Sequence, residues 1–379
     1  MSIDTVDVTA LDTPAVLLDY GKLAHNIDSI QQIADAHGAA VRPHAKTHKC
    51  HEIARMQLDA GAVGLTVAKP SEALEFMSNG IPSITVAYPM VVPSKLARLF
   101  TAVSSFGTDL RLVMDSHVGL DAIHEAARRL DITANVMLKV DVGLHRCGLQ
   151  EDDPELLPLV QRAADAGELN FVGLLAHAGQ SYGAADAELV RQIAQEECEI
   201  LGRVRNRLEG AGIEVPVVSV GSTPTILASE SYEGINEVRP GNYVFMDRTP
   251  LRLGLIEADQ IALSVLATVV SRNSDYLIVD TGSKVLSSDL GAHGTSGVAD
   301  FGVAYTVEDF AAKSRGHSVL KLSEEHGFLQ RNGADIPIGS QVRIIPNHSC
   351  VVANLVGKYH VIRNGEIKRW KVAAQSCVE

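Results

Sequence analysis

Long apolar runs, paired cysteines and an excess of basic charge are all missing from this chain. None of its 379 residues falls in an apolar run of about eighteen or more, so no membrane-spanning helix is expected. Residues 1–13 are polar and acidic and lack a basic segment followed by an apolar stretch, which argues against a secretory signal. The five cysteines, Cys50, Cys147, Cys198, Cys350 and Cys377, are scattered and never form a C-x-x-C pair. A disulfide framework is therefore not expected, and a reducing cytoplasm fits. Lys and Arg number 33 against 46 Asp and Glu, a net charge of −13. Sequence-independent binding to nucleic acid needs a basic surface, so no nucleic-acid partner is expected. No G-x-G-x-x-G follows a first strand and no P-loop is present, which removes the commonest reason to expect an open nucleotide-binding sheet. A low-complexity linker and internal repeats are also absent.

What is present is a rhythm. Apolar residues make up 46% of the chain, enough for a large core. The length exceeds one typical domain and suggests a large domain plus a smaller one. Short β-prone runs occur at residues 15–18, 39–42, 64–67, 83–86, 110–114, 135–140, 171–175 and 217–220. Helix-like stretches alternate with them, at residues 20–37, 117–130 and 187–210 among others; the first carries Leu23, Ile27, Ile30 and Ile33 near helical spacing. Alternating βα units imply a parallel sheet, and about eight units over this span favour a closed barrel. Past Pro250 the texture changes. Residues 262–271, 276–280, 341–345, 351–355 and 359–362 read as strands, helical spacing survives only at 307–315, and Asn364-Gly365 reads as a type I′ hairpin turn. The expected fold class is α/β: a (β/α)8 TIM-like barrel over residues 14–250, then a mostly-β domain over 251–379 that residues 1–13 are free to join.

Barrel enzymes place their chemistry at the C-terminal ends of the strands. Pro43-His44-Ala45-Lys46-Thr47-His48-Lys49 ends one of the runs. A lysine there can form a Schiff base with an aldehyde cofactor, and a crowd of histidines and a second lysine is expected to lower its pKa. Lys69, Asp141, His145, Arg146, His177 and Gln180 also follow strands; Arg146 serves equally as an ion-pair partner of Asp141, and His177 as a hydrogen-bonded core histidine. Gly221-Ser222-Thr223-Pro224-Thr225 and Arg239-Pro240-Gly241-Asn242-Tyr243 supply small residues, hydroxyls and backbone N–H groups of the kind a phosphate monoester needs, though ordinary turns look the same. In Pro346-Asn347-His348-Ser349-Cys350 the imidazole and thiol stand two residues apart. On a strand they face the same way, and nitrogen with sulfur suits zinc. His326 is a further candidate neighbour, with a plain turn histidine as its other reading.

Taken in order, Asp12-Thr13-Pro14-Ala15, the Lys46 stretch, Val140-Asp141-Val142-Gly143 with Arg146-Cys147-Gly148, Glu237-Val238-Arg239-Pro240-Gly241-Asn242-Tyr243 and His348-x-Cys350 resemble the D-serine dehydratase and D-threonine aldolase family of fold type III, alanine-racemase-like pyridoxal phosphate enzymes. The resemblance spans nearly the whole chain. It implies a barrel followed by a β domain, pyridoxal 5'-phosphate on Lys46, Arg146 near the phenolic oxygen, and Arg239 against the pyridine nitrogen. It implies cofactor-binding roles for His177 and Tyr243, and phosphate-binding roles for Gly221, Ser222, Thr223, Gly241 and Asn242. It also implies a divalent metal on His348 and Cys350, zinc first, with manganese or magnesium as alternatives. Cysteine at 350, where the aldolase branch has aspartate, points to the dehydratase branch, as do Val220 to Thr225 and His177 to Tyr182. Leu174-Leu175 depart from that branch, which has a tyrosine just before its His-Ala-Gly segment.

The resemblance further implies a lyase on small β-hydroxy-D-amino acids: D-serine dehydration to keto acid and ammonia, or, as alternatives, D-threonine aldolase cleavage to glycine and an aldehyde, or a metal-free racemase. A homodimer is implied as well.

Overall fold

The computed structural model describes residues 7–292, 298–333 and 336–379. Two compact units divide these residues. One comprises residues 30–46, 53–241 and 377–379; the other comprises residues 7–29, 47–52 and 242–376.

The first unit is built on eight parallel strands, in the order Ala40–Val41, Glu237–Val238, Val217–Val220, Leu169–Leu175, Ala134–Lys139, Asp109–Met114, Ser83–Pro89 and Leu65–Val67. The ring closes between the first and last of these: Val63 N donates to Val41 O (2.9 Å), Thr66 N donates to Pro43 O (2.8 Å), and His44 bridges Thr66 in parallel register. Helices join successive strands, as the βα rhythm predicts. His117–Leu130 shows why they form where they do. Ser116 caps its start by accepting from Gly119 N, Asp131 ends it in the left-handed conformation, Arg128 and Arg129 sit in its last turn, and Leu120, Ile123 and Ala127 are buried.

The eight-strand count is right, but its membership differs by one. Ala15–Asp19, expected as the first barrel strand, belongs to the second unit, where it pairs antiparallel with Leu263–Arg272 and parallel with Lys358–Arg363. Its place in the ring is filled by the two-residue strand Glu237–Val238. The buried Glu237 carboxylate holds that strand by accepting from Arg42 (2.8 Å), Arg111 (3.3 Å) and Ser219 (2.5 Å), which come from three other segments of the ring.

The second unit has a nine-stranded, mainly antiparallel sheet. Six of its strands close on themselves through consecutive pairings: Leu263–Arg272, Tyr276–Val279, Gly327–Gln330, His317–Leu322, Gly302–Thr306 and Gln341–Pro346. The Asn364-Gly365 turn joins Lys358–Arg363 to Glu366–Lys371, with φ of 51° and 84°, as a type I′ turn requires. Two expectations are corrected. Residues 351–355 fall in the helix Ser349–Leu355, because Val351 and Val352 continue an apolar run whose inward residues follow helical spacing. Residues 307–315 form turns after the strand Gly302–Thr306. Among the described residues, no helix is long and apolar enough to cross a membrane.

Candidate active site

Within the barrel unit the candidates collect at the C-terminal ends of neighbouring strands. Lys46 lies in the single turn Ala45–Thr47, just past the bridge that closes the ring. Lys139 is the last residue of Ala134–Lys139, His177 lies two residues beyond Leu169–Leu175, Gly221 follows Val217–Val220, and Arg239 follows Glu237–Val238. Arg146 is exposed and lines a narrow cleft with Lys139, Cys147 and His177. Asp141 does not pair with it. That carboxylate holds its own turn, accepting from Gly143 N (3.1 Å) and His145 N (3.0 Å) and meeting His145 Nδ1 (2.9 Å).

The charges here are mostly positive. Burial, then Lys46, Arg239, His177 and Arg146, holds His44 well below the usual histidine range. Burial, then Lys46 and Lys139, does the same to His177. Both rings are therefore neutral, and the expectation that the histidines of the Lys46 stretch supply a cationic field is corrected for His44: the charges acting on it are those of Lys46, Arg239 and Arg146. The His177 Nδ1 lies 2.9 Å from Gly221 O, so a neutral ring keeps its proton there and presents Nε2 as an acceptor. Burial pulls Lys139 down to about 7, helped by Arg239 and Arg146. Burial likewise lowers Arg239 to about 10, against the pull of Glu237 and Glu197. The Arg239 guanidinium donates to Ser219 Oγ (2.5 Å) and to Ala176 O.

Glu197 organises this corner, and it was not singled out from the sequence. It sits on the helix Ala187–Gly210, in the buried stripe of Val190, Ala194, Leu201, Val204 and Leu208. Its carboxylate accepts from Ala178 N (3.1 Å), pinning the loop after Leu169–Leu175, and the Gly221 backbone helps to lower its pKa. Burial raises it to about 7, with Arg239 opposing. A glutamate in an apolar helical stripe, and a lysine ending the apolar strand Val136-Met137-Leu138-Lys139, are the signals that mark both residues in the sequence.

The Gly221 carbonyl is already engaged, by His177. What this glycine contributes is conformation: φ is 129°, and a Cβ would lie 2.9 Å from Ile226 Cδ1 and 3.2 Å from Arg239 N. Ser222 caps the short helix Thr223–Ala228. Its Oγ meets Ser181 (2.9 Å) and Thr225 (3.0 Å), and Thr223 N faces Tyr182 Oη at 3.4 Å. Gly241 follows Pro240, whose carbonyl accepts from His44 N (2.7 Å). The corner fits pyridoxal phosphate. It has a primary amine, an excess of cations for an anionic ester, and a buried polar atom, His44 Nδ1, with no hydrogen-bond partner.

The second unit holds the remaining candidates. Asn242 and Tyr243 lie buried in the turn Asn242–Val244, and Asn242 Nδ2 is a buried donor without a partner. His348 is the N-cap residue of Ser349–Leu355 rather than a strand residue, and the charge of nearby Cys350 acts on its ring. A residue entering a helix and one two positions on lie close enough to meet. Asp289 Oδ2 sits 2.9 Å from His348 Nδ1, which directs Nε2 away from that carboxylate. Cys350 Sγ lies 3.3 Å from Thr47 Oγ1. Burial works against a charge on His348, but Cys350, Asp289 and Asp247 together raise it to about 10. Ser349 is fixed by Asp247 to its N–H (3.0 Å) and by its Oγ to Asn242 Oδ1 (2.5 Å). A site that stabilises a positive charge beside a thiol and an oriented imidazole fits a divalent metal. Among the described residues no third histidine, cysteine or carboxylate completes a cluster, which leaves positions for other ligands. His326 sits in an exposed turn, its N–H on Ser323 Oγ (3.2 Å).

Comparison with known proteins agrees with this layout. A family model described as "Alanine racemase, N-terminal domain" matches residues 18–249, and one described as "Putative serine dehydratase domain" matches residues 262–362. The D-threo-3-hydroxyaspartate dehydratase of Delftia sp. (strain HT23) is 35% identical, over 95% of this chain and 97% of that protein. Its solved structure superposes with a TM-score of 0.89 at 34% identity, over 96% of this chain and 98% of that one. Two further structures of it carry single replacements: a cysteine-to-alanine mutant in the metal-free form, and a mutant with alanine for the histidine two positions earlier. The D-serine dehydratase of Dictyostelium discoideum is 32% identical over 96% of both chains. The D-threonine aldolase of Arthrobacter sp. is 31% identical over 96% of this chain and 93% of that protein. With a barrel that ends its strands in Lys46 and the Arg239 motif, and a β unit that joins His348 to Cys350, this chain belongs to the alanine-racemase-like family of pyridoxal-phosphate-dependent lyases that includes the D-serine dehydratases and D-threonine aldolases.

Proposed function

We propose that this enzyme is a dehydratase of β-hydroxy-D-amino acids, of the D-serine ammonia-lyase type, that depends on pyridoxal 5'-phosphate and a divalent metal. One observation carries the choice within the family: the residue two positions after His348 is a cysteine, Cys350, with Asp289 Oδ2 2.9 Å behind the His348 ring. A histidine and a cysteine at the same spacing are the residues replaced in the Delftia dehydratase mutants, one of them metal-free.

Pyridoxal phosphate, when bound, supplies an aldehyde for the substrate amine and a conjugated ring that takes up the electron pair left at Cα. Lys46 is the anchoring amine and, once displaced, the base that takes the α-proton at its Nζ. Arg146 and Arg239 act on the same buried ring, His44, as Lys46 does, and positive charge near an amine favours its neutral, proton-accepting form. His177, neutral and donating through Nδ1, keeps an acceptor in the site and adds no charge. Gly221, Ser222, Thr223, Gly241 and Asn242 are proposed for the phosphate, Tyr243 for a cofactor contact, and Arg239 for the ring nitrogen. Arginine there disfavours a proton on that nitrogen, so charge stabilisation elsewhere gains weight.

His348 and Cys350 would hold a divalent ion, zinc first, which would supply Lewis acidity at the β-hydroxyl. Asp289 keeps the proton on His348 Nδ1, so Nε2 stays free to ligate. We extend the proposal to a homodimer, and to the cytoplasm, which the five scattered, unpaired cysteines support.

Product analysis with D-serine and D-threonine, with and without EDTA, tests the reading. Pyruvate or 2-oxobutyrate, lost on chelation and restored by zinc, is the expected result. Glycine indicates the aldolase, and full activity after chelation rejects the metal.

A further inference from the structure

The chain that leaves Lys46 does not stay with the barrel. Thr47–Glu52 belongs to the second unit, where it is fastened to the helix Ser349–Leu355, the element that carries Cys350 and is capped by His348.

Thr47 ends the single turn that holds Lys46, and it is fully buried. Its Oγ1 lies 3.3 Å from Cys350 Sγ. Two residues on, Lys49 Nζ donates to Asn354 Oδ1 (2.7 Å). Cys350 and Asn354 stand four positions apart, on one side of the helix, so the segment is held by two side-chain contacts one helical turn apart. Its backbone is tied down as well: Tyr359 Oη donates to His48 O (2.7 Å), and Ala374 N donates to Lys49 O (3.0 Å). Lys49 is buried and takes a left-handed φ of 52°, a costly conformation for a lysine. Such a residue persists only where its surroundings fix it.

The chemistry of Thr47 gives this fastening a use. A thiolate accepts hydrogen bonds and donates none, so once Cys350 loses its proton the Thr47 hydroxyl is the donor between them. A donor on a ligating sulfur orients it, as Asp289 orients the His348 ring. Thr47 is also peptide-bonded to Lys46. Ordering the Lys46 turn therefore orders a partner of Cys350, and ordering Cys350 steadies the Lys46 turn.

We propose that Thr47 is a positioning residue shared by the Lys46 turn and the metal pair, so that a metal on His348 and Cys350 and pyridoxal phosphate on Lys46 each tighten the binding of the other. The Lys49–Asn354 contact keeps the segment in place for this. The inference rests on the assignments of Lys46, His348 and Cys350 proposed above, and goes beyond them in making the two occupancies interdependent.

The test measures zinc affinity by competition with a chromophoric chelator, on the cofactor-free protein and on the protein reconstituted with pyridoxal phosphate. Zinc is expected to bind about tenfold tighter to the reconstituted protein, and pyridoxal phosphate about tenfold tighter to the zinc-loaded one, since coupling is reciprocal. Thr47→Val keeps the branched shape and removes the hydroxyl; it is expected to bring both ratios to about one. Thr47→Ser returns the hydroxyl and is expected to restore most of each ratio, which a packing role would not produce. Asn354→Ala, outside both proposed ligand sets, is expected to cut the ratios about threefold, the worth of one hydrogen bond, and decides the matter if Thr47→Val fails to fold. A ratio of one in the native protein, ratios unmoved by Thr47→Val or, failing that variant, by Asn354→Ala, or a Thr47→Ser protein that behaves like Thr47→Val overturns the inference while the lyase reading stands. A native protein that binds no zinc in either form sinks the metal assignment, and this inference with it.

Discussion

The two units of this chain solve opposite electrostatic problems with the same residue type. In the barrel, His44 and His177 are held neutral by burial and by the charges of Lys46, Lys139, Arg146 and Arg239. In the β unit, His348 is raised to about 10 by Cys350, Asp289 and Asp247, although burial opposes this. One set of surroundings awaits an anion and the other awaits a cation. A histidine's role is set by what packs against it, and an H-x-x or H-x-C string read alone does not carry that information.

The contrast can be broken most severely at its anionic-ligand end. Lys46→Ala removes the proposed anchor and base, and turnover is expected to fall by about 10⁴-fold or more, at the upper end of what a general base contributes. Normal turnover in that variant removes the central assignment. At the cationic-ligand end, Cys350→Ala is expected to abolish tight zinc binding and with it most of the dehydratase activity, read by metal content after dialysis alongside product yield. Retention of stoichiometric zinc in that variant contradicts the metal pair.

Asp289→Asn is a finer probe. It keeps a hydrogen-bonding group on His348 but removes the negative charge behind it. Zinc affinity, measured by competition with a chromophoric chelator, is expected to weaken about tenfold, the lower end for such supporting carboxylates. An unchanged affinity shows that Asp289 does not orient the ligand.

The smallest effect concerns acid stability of the cofactor-free protein. The folded-state pKa values of His44 and His177 are lowered, so above 6.5 both are neutral in the folded and unfolded chain alike. As pH falls below 6.5, the unfolded chain takes up protons that the fold refuses, and stability is lost. Glu197, raised to about 7, works the other way between 4.5 and 7, because the fold retains its proton. His360, also lowered by burial, joins the two histidines against Glu197, and these groups leave a net loss. Tm is expected to fall between pH 6.5 and 5, and His177→Asn to flatten the slope; a Tm that rises on acidification contradicts the assignment.

Much of the architecture was legible because it is local. The βα rhythm shows in apolar spacing, and Asn364-Gly365 announces its own backbone conformation. Strand membership was not local. Ala15–Asp19 is buried along its whole length, and such a run reads the same in a barrel or in a covered sheet. Its partners, Leu263–Arg272 and Lys358–Arg363, lie more than two hundred residues away. Glu237–Val238 is two residues long, too short for any period to register. The candidate pair His348 and Cys350 was read on strand alternation, whereas the structure brings the two together at a helix entry. Glu197 and Lys139 were passed over because a charge within an apolar run reads as an interruption until its partners are known.

The covalent attachment at position 46 is the most direct point of attack. Reconstitution with pyridoxal phosphate, borohydride reduction and peptide mapping should place one stable adduct on Lys46 and none on Lys139 or Lys49. A colourless reconstituted protein, or an adduct mapped to any other lysine, contradicts the account.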